Sequence, residues 1–190
     1  MSERQAEFDV DAMFVDRWSP RGFLEKAVPR AMLMSLFEAA RWAPSAMNEQ
    51  PWRFVWADEE ADLVRFRAAL MEANQVWANR VPVLVYLLAR KNYVRNERPN
   101  KAAMFDAGAA WMSLALQARK LGLYTHAMGG FDRDKALAAV GADGDEYDVM
   151  AALAVGWKGD AEMLPDELKA REAPGGRKGV AEFCFAGRLA

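Results

Sequence analysis

The chain has 190 residues, 53% of them apolar and 27% charged, and its net charge of −2 offers no field for nucleic acid. That length suits one domain with a full core, and no apolar run reaches the ~18 residues of a bilayer span. MSERQAEFDVDAMF lacks the apolar stretch of a signal peptide, and the lone Cys184 has no internal disulfide partner, so a cytoplasmic protein without membrane or nucleic-acid partners is expected.

Pro29 suits the first turn of a helix, and Leu33, Leu36, Phe37 and Ala40 recur at the spacing of one buried face. Pro44 ends that helix, because its ring disfavours helical geometry at Ala43. Residues 52–57 (WRFVWA) read as a short strand. Asp58 is placed to cap a second helix whose Leu63, Phe66 and Leu70 face inward. VPVLVYLLA, residues 81–89, is almost wholly apolar, as in a strand covered on both faces.

Residues 100–121 form a long helix stopped by Gly122. Its apolar residues extend round most of the cylinder, which marks a central or interfacial helix. LYTHAM (123–128) is a strand, Asp132 caps a short helix to Val140, and YDVMAALAVGW (147–157) is a further buried strand. Residues 160–179 are loop with a helical turn near Asp166. VAEFCF (180–185) returns to strand character and completes this sheet or a partner's. No repeat or linker divides the chain, so residues 1–190 read as a single domain of α/β or α+β layering around one sheet.

Four polar clusters stand out. In DRWSPRGF (16–23), Arg17, Ser19 and Arg21 alternate, so an extended backbone puts them on one side. Two guanidiniums and a hydroxyl there suit a phosphate monoester or form a solvated basic edge. In RWAPSAMNEQPWRF (41–54), Ser45, Asn48 and Gln50 sit between stiff Pro44 and Pro51, as a ligand loop or a capped turn. In EANQVW (72–77), the Asn74 carboxamide can read an imide edge or finish a surface helix. Gly129–Gly130 allows a planar ligand close approach or makes a plain turn. His126 is packed, or touches a ligand. Arg177 and Lys178 add late positive charge. One histidine and one cysteine leave no zinc site of His and Cys ligands, and no dinucleotide fingerprint, phosphate loop or nucleophile elbow is present.

In this order, the clusters resemble the nitroreductase family of flavin enzymes. RWSPRGF is similar to its N-terminal phosphate motif, and EAARWAPSAMNEQPWRF to its helix running into a P-S-x-x-N-x-Q-P-W loop. ANQ, the apolar strand, the long helix, GGFD and RKG follow in family order. The resemblance implies an α+β fold, a three-layer α/β/α sandwich around a mixed, mainly antiparallel sheet. It implies a homodimer that builds its interface on the long helix and exchanges terminal segments, here about residues 180–190. FMN is then bound at the interface, and NADH or NADPH is the transient reductant. Hydride passes through flavin N5, by a ping-pong mechanism, to a small acceptor: a nitroaromatic, quinone, activated alkene or aldehyde.

Carried over onto this chain, Arg17, Ser19 and Arg177 hold the FMN phosphate, with Trp18 in the same binding segment and Lys178 as a further cation. Arg21 lies near the pyrimidine end and stabilises charge near N1; Asn74 bonds the pyrimidine edge. Pro44, Ser45, Ala46 and Asn48 line the same flavin from the other subunit, and Met128, Gly129 and Gly130 lie against the ring. Many relatives carry a glutamate where this chain has Gly129, which bears on substrate preference, and a lysine where it has Gly175, a lost phosphate contact for which Lys178 is the replacement. No side chain is expected as a general acid or base. The competing readings are a flavin-binding module without turnover, a same-fold flavin enzyme that dehalogenates or fragments flavin, and a structural dimer.

Overall fold

The computed structural model describes residues 4–189. The fold is built outward from the apolar run. As β2 (Val83–Arg90), it sends Val83, Val85, Leu87 and Ala89 to one face of the sheet and Leu84, Tyr86 and Leu88 to the other. Both sets are buried. Helices α2 (Arg30–Arg41) and α5 (Ala103–Lys120) cover the first face. Helices α3 (Glu60–Ala68), α4 (Glu72–Ala78) and α6 (Arg133–Val140) cover the second. The result is the expected three-layer α+β sandwich.

The strand order is β1 (Trp52–Ala57), β2, β4 (Tyr147–Gly156), β3 (Tyr124–Met128). All three ladders are antiparallel. Among the described residues no parallel ladder is formed, so within one chain the sheet is antiparallel and not mixed. β1 and β3 are its edges, with β2 and β4 between them.

On the first face, α2 lies toward β1, with Phe37 against Phe54 and Trp56 at 5.6 and 5.4 Å between ring centroids. A short helix that the sequence reading lacked, α1 (Ala12–Asp16), also touches α5; Asp11 caps it through the Met13 N–H at 2.9 Å. Helix α5 ends as expected: Gly122 takes φ +80°, and the Leu123 N–H bonds the Ala118 carbonyl at 2.8 Å.

Two local expectations are corrected. Asp58 caps nothing: β1 runs through Ala57, the chain uses Asp58 and Glu59 to leave the ladder, and α3 starts at Glu60. Residues 180–185 form no strand. Val180–Glu182 is a 3-10 turn in which Glu182 accepts from the Gly179 N–H (2.8 Å) and Glu7 from the Val180 N–H (2.9 Å). Side chains thus take up the amides a ladder would have used. Residue 190, the end of the segment expected to exchange, lies outside the described residues, and a short turn Asp166–Lys169, α7, sits where a helical turn was expected.

Candidate functional site

Residues 17–22 alternate in burial. Trp18, Pro20 and Gly22 are buried, while Arg17, Ser19 and Arg21 are partly exposed on the other side, as an extended backbone requires. Trp18 packs edge-on against Tyr124 of β3, with centroids 6.2 Å apart. The structure therefore turns the Trp18 side chain into the core, away from the face where Arg17 and Ser19 point, so that within the segment only its backbone lies beside them.

Beneath this segment lies His126. Its Nδ1 is 2.9 Å from the Pro20 carbonyl, and its ring lies 4.7 Å from that of Trp77. With only a carbonyl as partner, Nδ1 carries the proton and donates it. Burial pushes the imidazole pKa below its ordinary value, only partly offset by the Pro20 carbonyl. Trp77 also stacks on Phe23 at 6.2 Å. Segment 17–23, β3 and α4 are thus joined by one packed ring system. His126 is a packed residue that fixes the binding segment from below.

Arg17 meets two other guanidiniums. Burial, then Arg177, then Arg4 push its pKa down, and Arg4 is likewise lowered by burial and by Arg177. These three, with Lys178, line a groove of about 930 Å³. Among the described residues no carboxylate oxygen lies within 4.0 Å of the charged nitrogens of Arg4, Arg17, Arg21, Arg177 or Lys178. Glu7 and Asp9 line the same groove without pairing directly with these cations, and repelling cations that lack a direct ion pair suit an anionic ligand. The nearby backbone is held by Glu172, whose carboxylate accepts from the Arg21 N–H (2.8 Å) and the Gly22 N–H (2.9 Å).

Asn74, on α4, donates Nδ2–H to the Gly130 carbonyl at 2.8 Å, which leaves its Oδ1 and one N–H for a ligand. The Gly130 carbonyl also accepts from the Met71 N–H at 3.0 Å. A Cβ on Gly130 would lie 2.7 Å from Asn74 Nδ2, so glycine is what permits this approach; a Cβ on Gly129 would meet nothing within 4 Å. Met128 is buried in the core among α3, α4 and α6.

The 41–54 loop is built separately. Ser45 Oγ accepts from the Gln50 N–H (3.1 Å), and Asn48 Oδ1 from Gln50 Nε2 (3.2 Å). Asp106, a buried carboxylate on α5, accepts from the Ala46 N–H at 3.0 Å. Met47, Asn48 and Gln50 take φ of 56°, 57° and 52°. Left-handed non-glycine residues cost about 1–3 kcal/mol each, and such clusters persist where surrounding bonds over-determine them. Pro44 and Asn48 are exposed and Ser45 and Ala46 partly so.

The structure gathers Arg17, Arg177 and Lys178 in one groove and sets Asn74 against Gly130, with Ser19 and Arg21 on the same side of their segment as Arg17, while Pro44, Ser45, Ala46 and Asn48 lie in a separate loop. The loop leads into β1 at one edge of the sheet; Gly129 follows β3 at the other. Three strand spacings of ~4.8 Å put the edges roughly 14 Å apart. The sequence reading missed Arg4, Asp106 and Glu172. For Asp106 a signal existed, since a lone carboxylate occupies the buried stripe of Ala103, Ala107 and Ala110. Arg4 and Glu172 carried none, because their partners are backbone atoms distant in sequence.

The topology is that of an α+β sandwich with an antiparallel central sheet, carrying a groove rich in cations and a carboxamide set against a glycine pair. The nitroreductase family model matches residues 15–76 and 64–157, and the chain belongs to that family. It is similar to an oxidoreductase whose crystal structure contains FMN: 42% identity, TM-score 0.94, over 98% of this chain and 96% of that one. It is 29% identical over 144 residues (66% of this chain, 74% of the other) to a Stenotrophomonas maltophilia (strain R551-3) protein provisionally named an NADH dehydrogenase/NAD(P)H nitroreductase. A nitroreductase family protein of Clostridium difficile 630 shares the fold, with TM-score 0.74 at 18% identity over 96% of this chain and all of that one.

Proposed function

We infer that this chain is an FMN-dependent oxidoreductase that takes reducing equivalents from NADH or NADPH and passes them to a small electron acceptor. The observation that carries the reading is a groove where Arg4, Arg17, Arg177 and Lys178 gather without direct ion pairs, in a fold that also sets the Asn74 carboxamide against Gly130. A phosphate monoester attached to a planar heteroaromatic ring has that polarity. FMN, when bound, supplies the hydride chemistry. This chain's part is to bind and orient it: Arg17, Ser19, Arg177 and Lys178 toward the phosphate, Asn74 toward the pyrimidine edge. Arg21 places positive charge where the reduced ring becomes negative. Gly129 leaves room above the platform for reductant and acceptor in turn, which suits ping-pong kinetics. A nitroaromatic, quinone, activated alkene or aldehyde fits that space.

The working unit is a homodimer with FMN at the interface. Two features support this. The 44–48 loop stands apart from the rest of the site within one chain, so a twofold-related copy is what would unite them. At the same end, Phe105 is 81% exposed and Trp42 74%, beside exposed Met47 and Met104, an apolar surface of the kind that interfaces cover. Residues 1–190 act as one domain in this reading. It also places the protein in a reducing cytoplasm, since Cys184 is free and exposed; no helix among the described residues is long and apolar enough to cross a membrane.

The test is a visible spectrum of the purified protein, before and after NADH and NADPH are each added without oxygen. A yellow protein that bleaches within seconds supports an oxidoreductase. A yellow protein that stays yellow leaves a binding module, and a colourless one that ignores added FMN removes the cofactor. The double variant Arg17→Ala with Arg21→Ala should fold and purify without flavin; full yellow colour there would overturn the phosphate assignment.

A further inference from the structure

Arg4 is the most connected side chain of the cation groove. Its Nε donates to the Gly175 carbonyl at 3.0 Å, and one terminal nitrogen donates to the carbonyls of Val15 and Arg17, each at 2.8 Å. One guanidinium thus joins three stretches of chain: the N-terminal arm, the end of α1 and the loop before Arg177. The two tied loops are those that carry Arg17 and Arg177. Arg177 contributes little to its own placement, since its donors reach only the carbonyls of Gly175 and Gly176 beside it. Arg17 and Arg177 repel each other, so something must oppose their separation when no ligand is bound.

We propose that Arg4 is a positioning residue of the phosphate clamp, which staples the Arg17 and Arg177 loops together so that both cations face one phosphate. The inference rests on the FMN reading above. The fork is what matters: a guanidinium can bond several carbonyls in a fixed plane, whereas an ammonium presents a point charge on a flexible stem.

Flavin-free protein is titrated with FMN and with riboflavin, which lacks the phosphate, and fluorescence quenching gives both affinities. Arg4→Ala should lower FMN affinity by about 10- to 100-fold and riboflavin affinity by about threefold or less, as expected for charge-assisted bonds confined to the phosphate. A merely structural arginine would weaken both flavins equally, and that result overturns the proposal, as does no change for either. Arg4→Lys keeps the charge and loses the fork, so it should show the same selective loss. Wild-type preference for FMN in Arg4→Lys overturns the stapling role, and this variant decides alone where Arg4→Ala does not fold. Wild-type protein that binds both flavins equally would instead sink the phosphate site itself, and Arg4's role with it.

Discussion

Gly130→Ala separates the fold from the site. A methyl group at this position falls 2.7 Å from Asn74 Nδ2, far inside van der Waals contact. The obstructing atom is the tip of a rotatable side chain, and Gly130 does not have a positive φ, so the backbone can stay where it is. The carboxamide must swing off the Gly130 carbonyl and lose its 2.8 Å bond, while that carbonyl keeps the Met71 N–H at 3.0 Å. The loss to folding is then about 1 kcal/mol. The loss to binding is larger. Ligand must re-order a loose carboxamide: about 0.5–1.5 kcal/mol for the missing bond and about 0.5–1.5 for immobilising the side chain. Together these weaken FMN by about 5- to 150-fold. Titration of the flavin-free variants with FMN measures this, and thermal unfolding measures the first quantity. Because Gly130 acts through Asn74, Asn74→Ala combined with Gly130→Ala should bind no more weakly than Asn74→Ala alone. Wild-type affinity in Gly130→Ala, or additive losses in the double variant, would refute the coupling.

The buried His126 predicts a pH dependence. Its folded pKa lies below the ordinary 6.5, so on acidification the unfolded chain takes up the proton first. Stability is therefore full above about pH 6.5 and falls as pH drops toward the folded pKa. Urea unfolding at about pH 7.5 and pH 5 should show a steeper acid loss in the wild type than in His126→Gln, and equal losses would contradict the assignment. Asp106→Ala strands the Ala46 N–H and should destabilise the 45–50 loop by about 1–3 kcal/mol. Amide exchange at Ala46 should then quicken by at least about fivefold, whereas unchanged exchange would mean that Asp106 does not hold the loop. Phe105→Glu puts a charge on the exposed apolar end of α5 and should give monomers by light scattering, with loss of bound flavin. A persistent dimer would place the interface elsewhere.

Periodicity made most of the layering legible. The run at 81–89 is apolar on both faces because both faces are covered, and the stripe of α5 matches the residues that pack beneath it. Local chemistry marked Gly122, Pro29 and Asp132, since caps and stops act within a few residues. The alternation at 17–21 placed Arg17, Ser19 and Arg21 on one side, and the same rule sends Trp18 inward. What depends on neighbours distant in the chain was not legible. Val180–Glu182 turns because Glu7 and Glu182 take up its amides, and no local pattern announces a partner 173 residues away. Arg4 holds Gly175 across 171 residues through a backbone carbonyl, which every residue type possesses and which leaves no trace in sequence. The sequence by itself thus determined the sheet strands and the main helices that cover them, because those follow from short-range sterics and burial, but not α1 or the turn at Val180–Glu182. Only the tertiary structure decided which polar groups meet, because that depends on where the folded sheet carries each loop.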